Sequence, residues 1–143
     1  MKTKAELTAP CGLDCFNCLV YEENITEEIK KLFVSQYKME YDKISCKGCR
    51  EQPGCTLIPF QCATLECINS KAIKYCCDCN EFPCQMLIPA SKGADIYPHN
   101  YKLYNLCRIK KVGVETWAEC EADIIRQKYF KGKFIPGKGP VME

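Results

Sequence analysis

Cysteine is the residue that most constrains how this chain can fold, since 14 of its 143 residues are cysteine and 1 is histidine. Ten of the cysteines stand in short-spaced groups: Cys11, Cys15, Cys18; Cys46, Cys49; Cys62, Cys67; Cys76, Cys79 and Cys84. Thiols spaced in this way either cross-link to one another or hold a metal ion between them. Because imidazole is almost absent, a metal site here is nearly all thiolate, which indicates zinc or an iron–sulfur cluster.

The start of the chain bears on the choice between disulfides and metal. It reads MKTKAELTAP, which lacks the apolar stretch of a secretory signal. No apolar run in the chain approaches the roughly 20 residues of a membrane span. We therefore expect a cytoplasmic protein that has no membrane partner. Thiols stay reduced in that compartment, so the spacing favours metal binding over disulfides.

Length and composition predict a single small domain. At 143 residues the chain falls within the usual range of about 100–200 residues per domain. The hydrophobic share of 47% includes the cysteines, so the core is small if the grouped thiols bind metal, and the metal must contribute folding energy. We expect an α+β or mainly α fold, with zinc-ribbon-like cysteine-metal knuckles in residues 1–84, a helical part over 85–130 and a flexible tail over 131–143.

The cysteine-free stretch of residues 24–43 is predicted to contain a helix. Thr26 is placed to cap it, and Ile29 and Phe33 share one face at helical spacing. Residues 51–62 contain two prolines and a glycine, and they are predicted to form a loop.

Apolar periodicity after residue 82 predicts three further helices. The first begins at Pro83, which suits an initial helical position, has Cys84 in its first turn and closes near Lys92. The other two run over residues 100–111 and 114–130.

Two CxxC motifs resemble the knuckles of zinc ribbons. Cys46 and Cys49 enclose Gly48, which favours a tight turn, and Cys76 and Cys79 form the second motif. Two such motifs are a stronger signal than one, although their separation of about 30 residues exceeds the usual roughly 15–20 residues of a ribbon. Both motifs are predicted to bind metal.

The remaining cysteines and the histidine have other predicted roles. Cys107 and Cys120 fall on apolar helical faces and are predicted to be small core residues. Cys77 is crowded between its neighbours and is predicted to point away from whatever Cys76 binds. Cys55 lies in the predicted loop, and both a ligand role and a spectator role stay open for it. His99 is predicted to be a surface or helix-start residue.

The order of these motifs resembles that of a known family. The chain reads CGLDCFNCLVY, CKGC, CATLEC, YCCDCNEFPCQML and LCRIKKVGVETW in turn. This is similar to an uncharacterised bacterial and archaeal family, domain of unknown function 3795, over about residues 9–117. Carried over by position, the cysteines of that family fall on the same ten residues grouped above. The resemblance implies zinc binding and supplies no activity.

The predicted function is therefore a zinc-binding protein in which thiolates hold about two ions for structural stability. One histidine cannot supply a hydrolytic HExxH motif, and no Walker A or Rossmann glycine pattern occurs. The residues favour structural zinc over catalysis, and we predict a module that binds a protein partner. Which four cysteines share an ion is left open by the sequence.

Two alternatives stay open. An iron–sulfur or reactive-thiol redox protein uses the same cysteine groups, because thiol spacing alone does not separate the two metals. A nucleic-acid-binding zinc protein is the second alternative. From Lys71 onward the chain has 12 Lys or Arg residues against 8 Asp or Glu residues, including Arg108 and Arg126. With a net charge of +2, this asymmetry falls short of a basic footprint, and nucleic acid is not the expected partner.

Overall fold

The computed structural model describes residues 1–58 and 60–142. Its regular elements in these residues are α1 (Lys4–Leu7), α2 (Glu27–Tyr37), α3 (Ala63–Lys71), α4 (His99–Val112), α5 (Val114–Thr116), α6 (Ala122–Lys131), β1 (Lys133–Ile135) and β2 (Gly139–Val141). Short 3₁₀ turns span Cys15–Asn17, Tyr41–Lys43, Cys76–Asp78 and Gln85–Leu87, and a π turn spans Trp117–Glu121. The predicted fold class, a small helix-rich domain with little sheet, is confirmed.

One hydrophobic core joins the cysteine-rich half to the helical half. Its buried members are Phe16, Ile68, Tyr75, Cys76, Cys77, Leu87, Leu106, Ile109, Trp117, Ala118 and Ala122. Trp117 is fully buried and meets Phe16 edge-on, with 6.2 Å between ring centroids. Phe16 lies within the turn Cys15–Asn17, and Trp117 begins the π turn Trp117–Glu121. The two halves of the chain therefore share this core.

A second, smaller cluster lies under α2. Val20, Ile44 and Cys46 are buried there, and Ile29 and Phe33 of α2 pack against them. The prediction of a helix within residues 24–43 is confirmed. The Thr26 hydroxyl accepts the predicted capping hydrogen bond from the Ile29 N–H at 3.3 Å.

The helix predicted from Pro83 to Lys92 is wrong. Cys84 is extended, with φ −104° and ψ 174°, and only Gln85–Leu87 forms a turn. Ile88 is also extended, at ψ 126°. Pro89 explains this, because a proline disfavours helical geometry in the residue before it. Cys84 therefore does not lie in the first turn of a helix.

Helix α3 is not predicted from the sequence, in which the predicted loop ends at Cys62. It begins at Ala63, directly after Cys62, and buries Ile68 in the main core. It ends where Ala72 adopts a left-handed conformation at φ 51°. Cys67 therefore lies on a helix rather than in a loop.

The prediction that Cys107 and Cys120 are core residues is wrong, because both are exposed. The π turn gives the reason for Cys120: the Ala122 N–H donates to the Trp117 carbonyl, five residues back, which shifts the helical phase by one residue. On α4, the buried face includes the polar Asn105, and Cys107 lies on the solvent side.

Replacing Cys107 or Cys120 with alanine is therefore expected to change the free energy of unfolding by less than about 0.5 kcal/mol, as for other surface substitutions. The metal content should not change, since neither thiol lines a cavity with the others. Chemical denaturation and metal quantitation would check this, and loss of metal in either variant would contradict it.

Residues 133–141 form an antiparallel hairpin in the segment predicted as a flexible tail. Lys133 pairs with Val141 and Ile135 with Gly139. Gly137 turns the chain with φ 82°, a conformation that favours glycine. In the described part of the chain, no helix combines the length and apolar character needed to cross a membrane.

Candidate metal centres

Two of the cysteine motifs form the same backbone turn. In residues 15–18 the Cys18 N–H donates to the Cys15 carbonyl at 3.0 Å, and in residues 76–79 the Cys79 N–H donates to the Cys76 carbonyl at 3.2 Å. Each turn is a single 3₁₀ turn that leaves its last cysteine extended, with ψ 139° in both. A turn of this kind keeps both thiols of a CxxC motif on one side of the backbone.

The segment of residues 46–49 is joined by backbone hydrogen bonds to the residues that follow the first turn. The Cys46 N–H donates to the Val20 carbonyl at 2.8 Å, and the Glu22 N–H donates to the Cys46 carbonyl at 2.9 Å. Gly48 has φ +88°, which a side chain would disfavour. These contacts place the thiols of two distant motifs next to each other.

These cysteines line a cavity of about 80 Å³, which we call cavity I. The thiol-bearing residues around it are Cys15, Cys18, Cys46, Cys49 and Cys55. The polar residues of its wall include Asp14, Tyr101 and Arg126. Cys55, whose role the sequence leaves open, therefore lies with four of the ten predicted ligands.

A second cavity, cavity II, has a volume of about 30 Å³. Its cysteines are Cys67, Cys76, Cys79 and Cys84. Helix α3 supplies the first, the turn at residues 76–79 the next two, and the extended residue before Gln85–Leu87 the last. Apolar side chains, among them Ile68 and Phe82, form most of the rest of its wall, together with Thr64 and Lys71.

The predicted ligands Cys11 and Cys62 line neither cavity. Burial raises the pKa of the Cys11 thiol, and Lys102 partly opposes that effect. Cys62 precedes the first residue of α3. Of the ten grouped cysteines, eight therefore line the two cavities. Cys11 and Cys62 do not, but the Cys11 thiol lies within electrostatic range of Cys62, Cys49 and Cys76.

Burial makes ionisation of two of the cavity thiols, Cys49 and Cys76, unfavourable. Burial, and then the neighbouring cysteines Cys11 and Cys46, raise the pKa of Cys49 to about 12. At cavity II, burial followed by the nearby Cys11 and Cys84 thiols raises the pKa of Cys76 to about 12. Several anionic sulfurs in one buried space require a compensating cation, which a bound divalent metal supplies.

Two sulfurs have hydrogen-bond donors beside them. The neighbouring Cys55 thiol lowers the pKa of Cys46, and the backbone N–H groups of Thr56 and Gly48 add to the effect. At cavity II, the Cys79 sulfur lies 3.3 Å from the Lys71 ammonium and accepts from the Glu81 N–H at 3.4 Å. Donors aimed at a cysteine sulfur are typical of the surroundings of metal-bound thiolates.

The thiols line their cavities without converging on a single point. In residues 1–58 and 60–142, no three or more His, Cys, Asp or Glu side chains meet in an arrangement that could hold a metal ion as they stand. Thiol groups swing about one side-chain torsion, and the donor set at each cavity is the one that zinc prefers. The chemistry of the residues present therefore fits a thiolate-bound metal.

The other predicted spectators lie outside both cavities. Cys77 is buried in the main core, with 4% of its surface exposed, as expected for a residue that points away from the turn. His99 begins α4, with its Nε2 atom 2.7 Å from the Ile88 carbonyl oxygen. This histidine is a helix-start residue, as predicted.

A buried polar cluster beside cavity I is not apparent from the sequence. The Asp14 side chain is 0% exposed, and its Oδ1 atom accepts from the Tyr101 hydroxyl at 2.8 Å and from Arg126 Nη1 at 2.9 Å. Asp14 lies within the CGLDC motif, but its partners come from α4 and α6, 87 and 112 residues away in sequence. No local pattern links residues so far apart.

The fold and these cavities define a small, mainly helical, cysteine-rich domain. The chain belongs to the family described as "Protein of unknown function (DUF3795)", whose model matches residues 7–89. The match contains every cysteine of both cavities and ends before α4. Neither a curated protein nor a solved structure matches the chain.

Proposed function

We propose that this protein binds two zinc ions through cysteine thiolates and that the ions stabilise a domain whose task is to bind another protein. The supporting observation is the grouping of thiols around two separate cavities, with five cysteines at cavity I and four at cavity II. Four thiolates complete the tetrahedral coordination of one structural zinc ion. Each cavity therefore has enough donors for one ion.

Each ion would join segments that are distant in the chain. The proposed ligands are Cys15, Cys18, Cys46 and Cys49 at cavity I, and Cys67, Cys76, Cys79 and Cys84 at cavity II. Cys55 is proposed as a hydrogen-bonding neighbour of Cys46 rather than a fifth ligand. When bound, zinc supplies a cross-link that a reducing compartment does not break, and the protein residues position the sulfurs.

The donor set supports a structural role over a catalytic one. A catalytic zinc keeps an open coordination position, commonly beside histidine or carboxylate ligands. His99 lines neither cavity, and the thiols at each cavity suffice to close the coordination of one ion. An iron–sulfur cluster is the alternative occupant of the same thiols.

The paired state of two basic residues weighs against the nucleic-acid alternative. Arg108 forms a two-point ion pair with Glu121, at 2.8 Å and 2.5 Å. Arg126 is bound to the buried Asp14. Guanidinium groups engaged within the protein contribute little to a phosphate-binding surface.

Metal quantitation tests the proposal. Protein purified without a metal-affinity column is expected to carry two equivalents of zinc, because the eight proposed ligands complete two four-thiolate sites. Elemental analysis and a thiol titration with and without denaturant would check this. Less than one equivalent of metal together with freely titrating thiols would contradict it. Iron together with acid-labile sulfide would show that the thiols hold an iron–sulfur cluster instead of zinc.

A further inference from the structure

We propose that Tyr101 and Arg126 are positioning residues for the metal centre at cavity I and that they act through Asp14. This inference rests on the proposed function. It extends the centre beyond the matched residues 7–89 and into α4 and α6. The cysteines supply the sulfurs, and the last helices hold the first cysteine turn in place.

Asp14 connects those helices to the turn. A buried carboxylate is costly unless it is paired. Here the Asp14 side chain accepts from Tyr101 and Arg126 at one oxygen and from Asn17 Nδ2 at the other, at 3.0 Å. The Asp14 carbonyl also accepts the Asn17 N–H at 2.8 Å, which is the first backbone hydrogen bond of the turn that carries Cys15. A displacement of Asp14 would therefore displace the turn.

A second contact fixes the same loop against α4. Asn105 Nδ2 donates to the Gly12 carbonyl at 2.8 Å, and both the Asn105 side chain and this contact are buried. A Cβ atom at Gly12 would lie 2.8 Å from Leu106 Cγ, so the loop backbone rests directly on the helix. The loop that precedes Cys15 is therefore held by α4 at Gly12 and by α4 and α6 at Asp14.

The arginine also closes the wall of cavity I. Arg126 and Tyr101 line the cavity together with Cys15 and Cys18. The Arg126 Nη1 atom is bound to Asp14 and lies 3.1 Å from the Tyr101 hydroxyl, while the guanidinium stands 5.4 Å from the Phe130 ring centroid. Residues that orient metal ligands from outside the coordination shell typically change metal affinity about 10–100-fold when they are replaced.

The matched control is a second arginine–carboxylate pair, which joins α4 to the π turn. Arg108 pairs with Glu121, and their side chains are 28% and 23% exposed, whereas that of Arg126 is 21% exposed. Neither Arg108 nor Glu121 lines a cavity. Arg108→Gln therefore removes an arginine–carboxylate pair outside the cysteine turn, whose carboxylate is 23% exposed where that of Asp14 is 0% exposed.

The test follows zinc transfer from the full-length protein to a chromogenic chelator, with the two ions resolved as two kinetic phases. Pulsed alkylation and peptide mass spectrometry identify the cysteines freed in each phase. Arg126→Gln is expected to accelerate one phase by about 10–100-fold, the phase that frees Cys15, Cys18, Cys46 and Cys49. Arg126→Lys, which keeps one donor for Asp14, should recover part of the loss, and Arg108→Gln should leave both phases unchanged.

Tyr101→Phe removes one hydroxyl and serves as the milder variant if Arg126→Gln does not fold. It is expected to accelerate the same phase by a smaller factor. Equal acceleration of both phases, or no difference between Arg126→Gln and Arg108→Gln in a protein that holds two ions, would overturn this inference alone. A wild-type protein that takes up no metal would overturn the proposed function and this inference with it.

Discussion

Removal of metal by a strong chelator is expected to unfold the cysteine-rich part of the protein, residues 1–84, and to expose Trp117. Structural zinc contributes roughly 10–16 kcal/mol in small zinc-binding peptides, which is as large as the whole stability of a typical domain, about 5–15 kcal/mol. Without metal, the thiols around the two cavities would no longer be cross-linked. We expect the remaining apolar contacts of the turns, such as that of Phe16 with Trp117, not to hold them alone.

Trp117 makes this result measurable because it is the 1 tryptophan of the chain. It is 0% exposed and packs against Phe16, which lies inside the turn Cys15–Asn17. Chelation should shift its fluorescence to longer wavelength and lower the thermal midpoint by circular dichroism. Excess zinc should reverse both changes. A midpoint and helicity that survive complete metal removal would show that the metal is not structural.

The second large effect is the loss of one ion at a time. Cys46→Ala should abolish the ion at cavity I and leave the ion at cavity II, while Cys79→Ala should do the reverse. In each case a site with three thiolates is open to solvent and weaker. The double variant should bind no metal. Elemental analysis gives the number of ions, and cobalt substitution reports the sulfur ligands of the site that remains.

Cys55→Ala is the matched control, because Cys55 shares cavity I with Cys46 but is proposed as its hydrogen-bond donor. It should keep two ions, with somewhat faster release from cavity I. Two outcomes would contradict the assignment of ligands. One is loss of the same ion in Cys46→Ala and Cys79→Ala, and the other is loss of a whole ion on replacing Cys11 or Cys62, which lie outside both cavities.

Local signals in the sequence predict those elements whose causes are local. The Thr26 cap and the apolar face of α2 lie within one short segment, and the prediction of that helix is confirmed. The helix predicted from Pro83 is absent for an equally local reason, because Pro89 disfavours helical geometry at Ile88. The exposure of Cys120 depends on the π turn, and a periodicity of 3.6 residues cannot anticipate an inserted residue.

The candidate sites, too, depend partly on local spacing and partly on contacts between distant segments. Spacing alone groups ten cysteines, and eight of them line the two cavities. Their division is decided by contacts between distant segments, such as the backbone hydrogen bonds that join Val20 and Glu22 to Cys46. Cys55 belongs to no short-spaced motif with the other thiols of cavity I. The loop that contains Cys55 brings it next to them.

By itself, the sequence determined that this is a small, helix-rich, cysteine-rich domain of its family, with paired thiols in tight turns. Residue type and short spacing suffice for those conclusions, because helix capping and CxxC turns are set within a few residues. Only the tertiary structure decided which thiols share a cavity, that Cys107 and Cys120 face solvent, and that Asp14 is held by Tyr101 and Arg126. Each of these depends on how helices pack across the core, and packing between segments up to 112 residues apart leaves no local trace in the sequence.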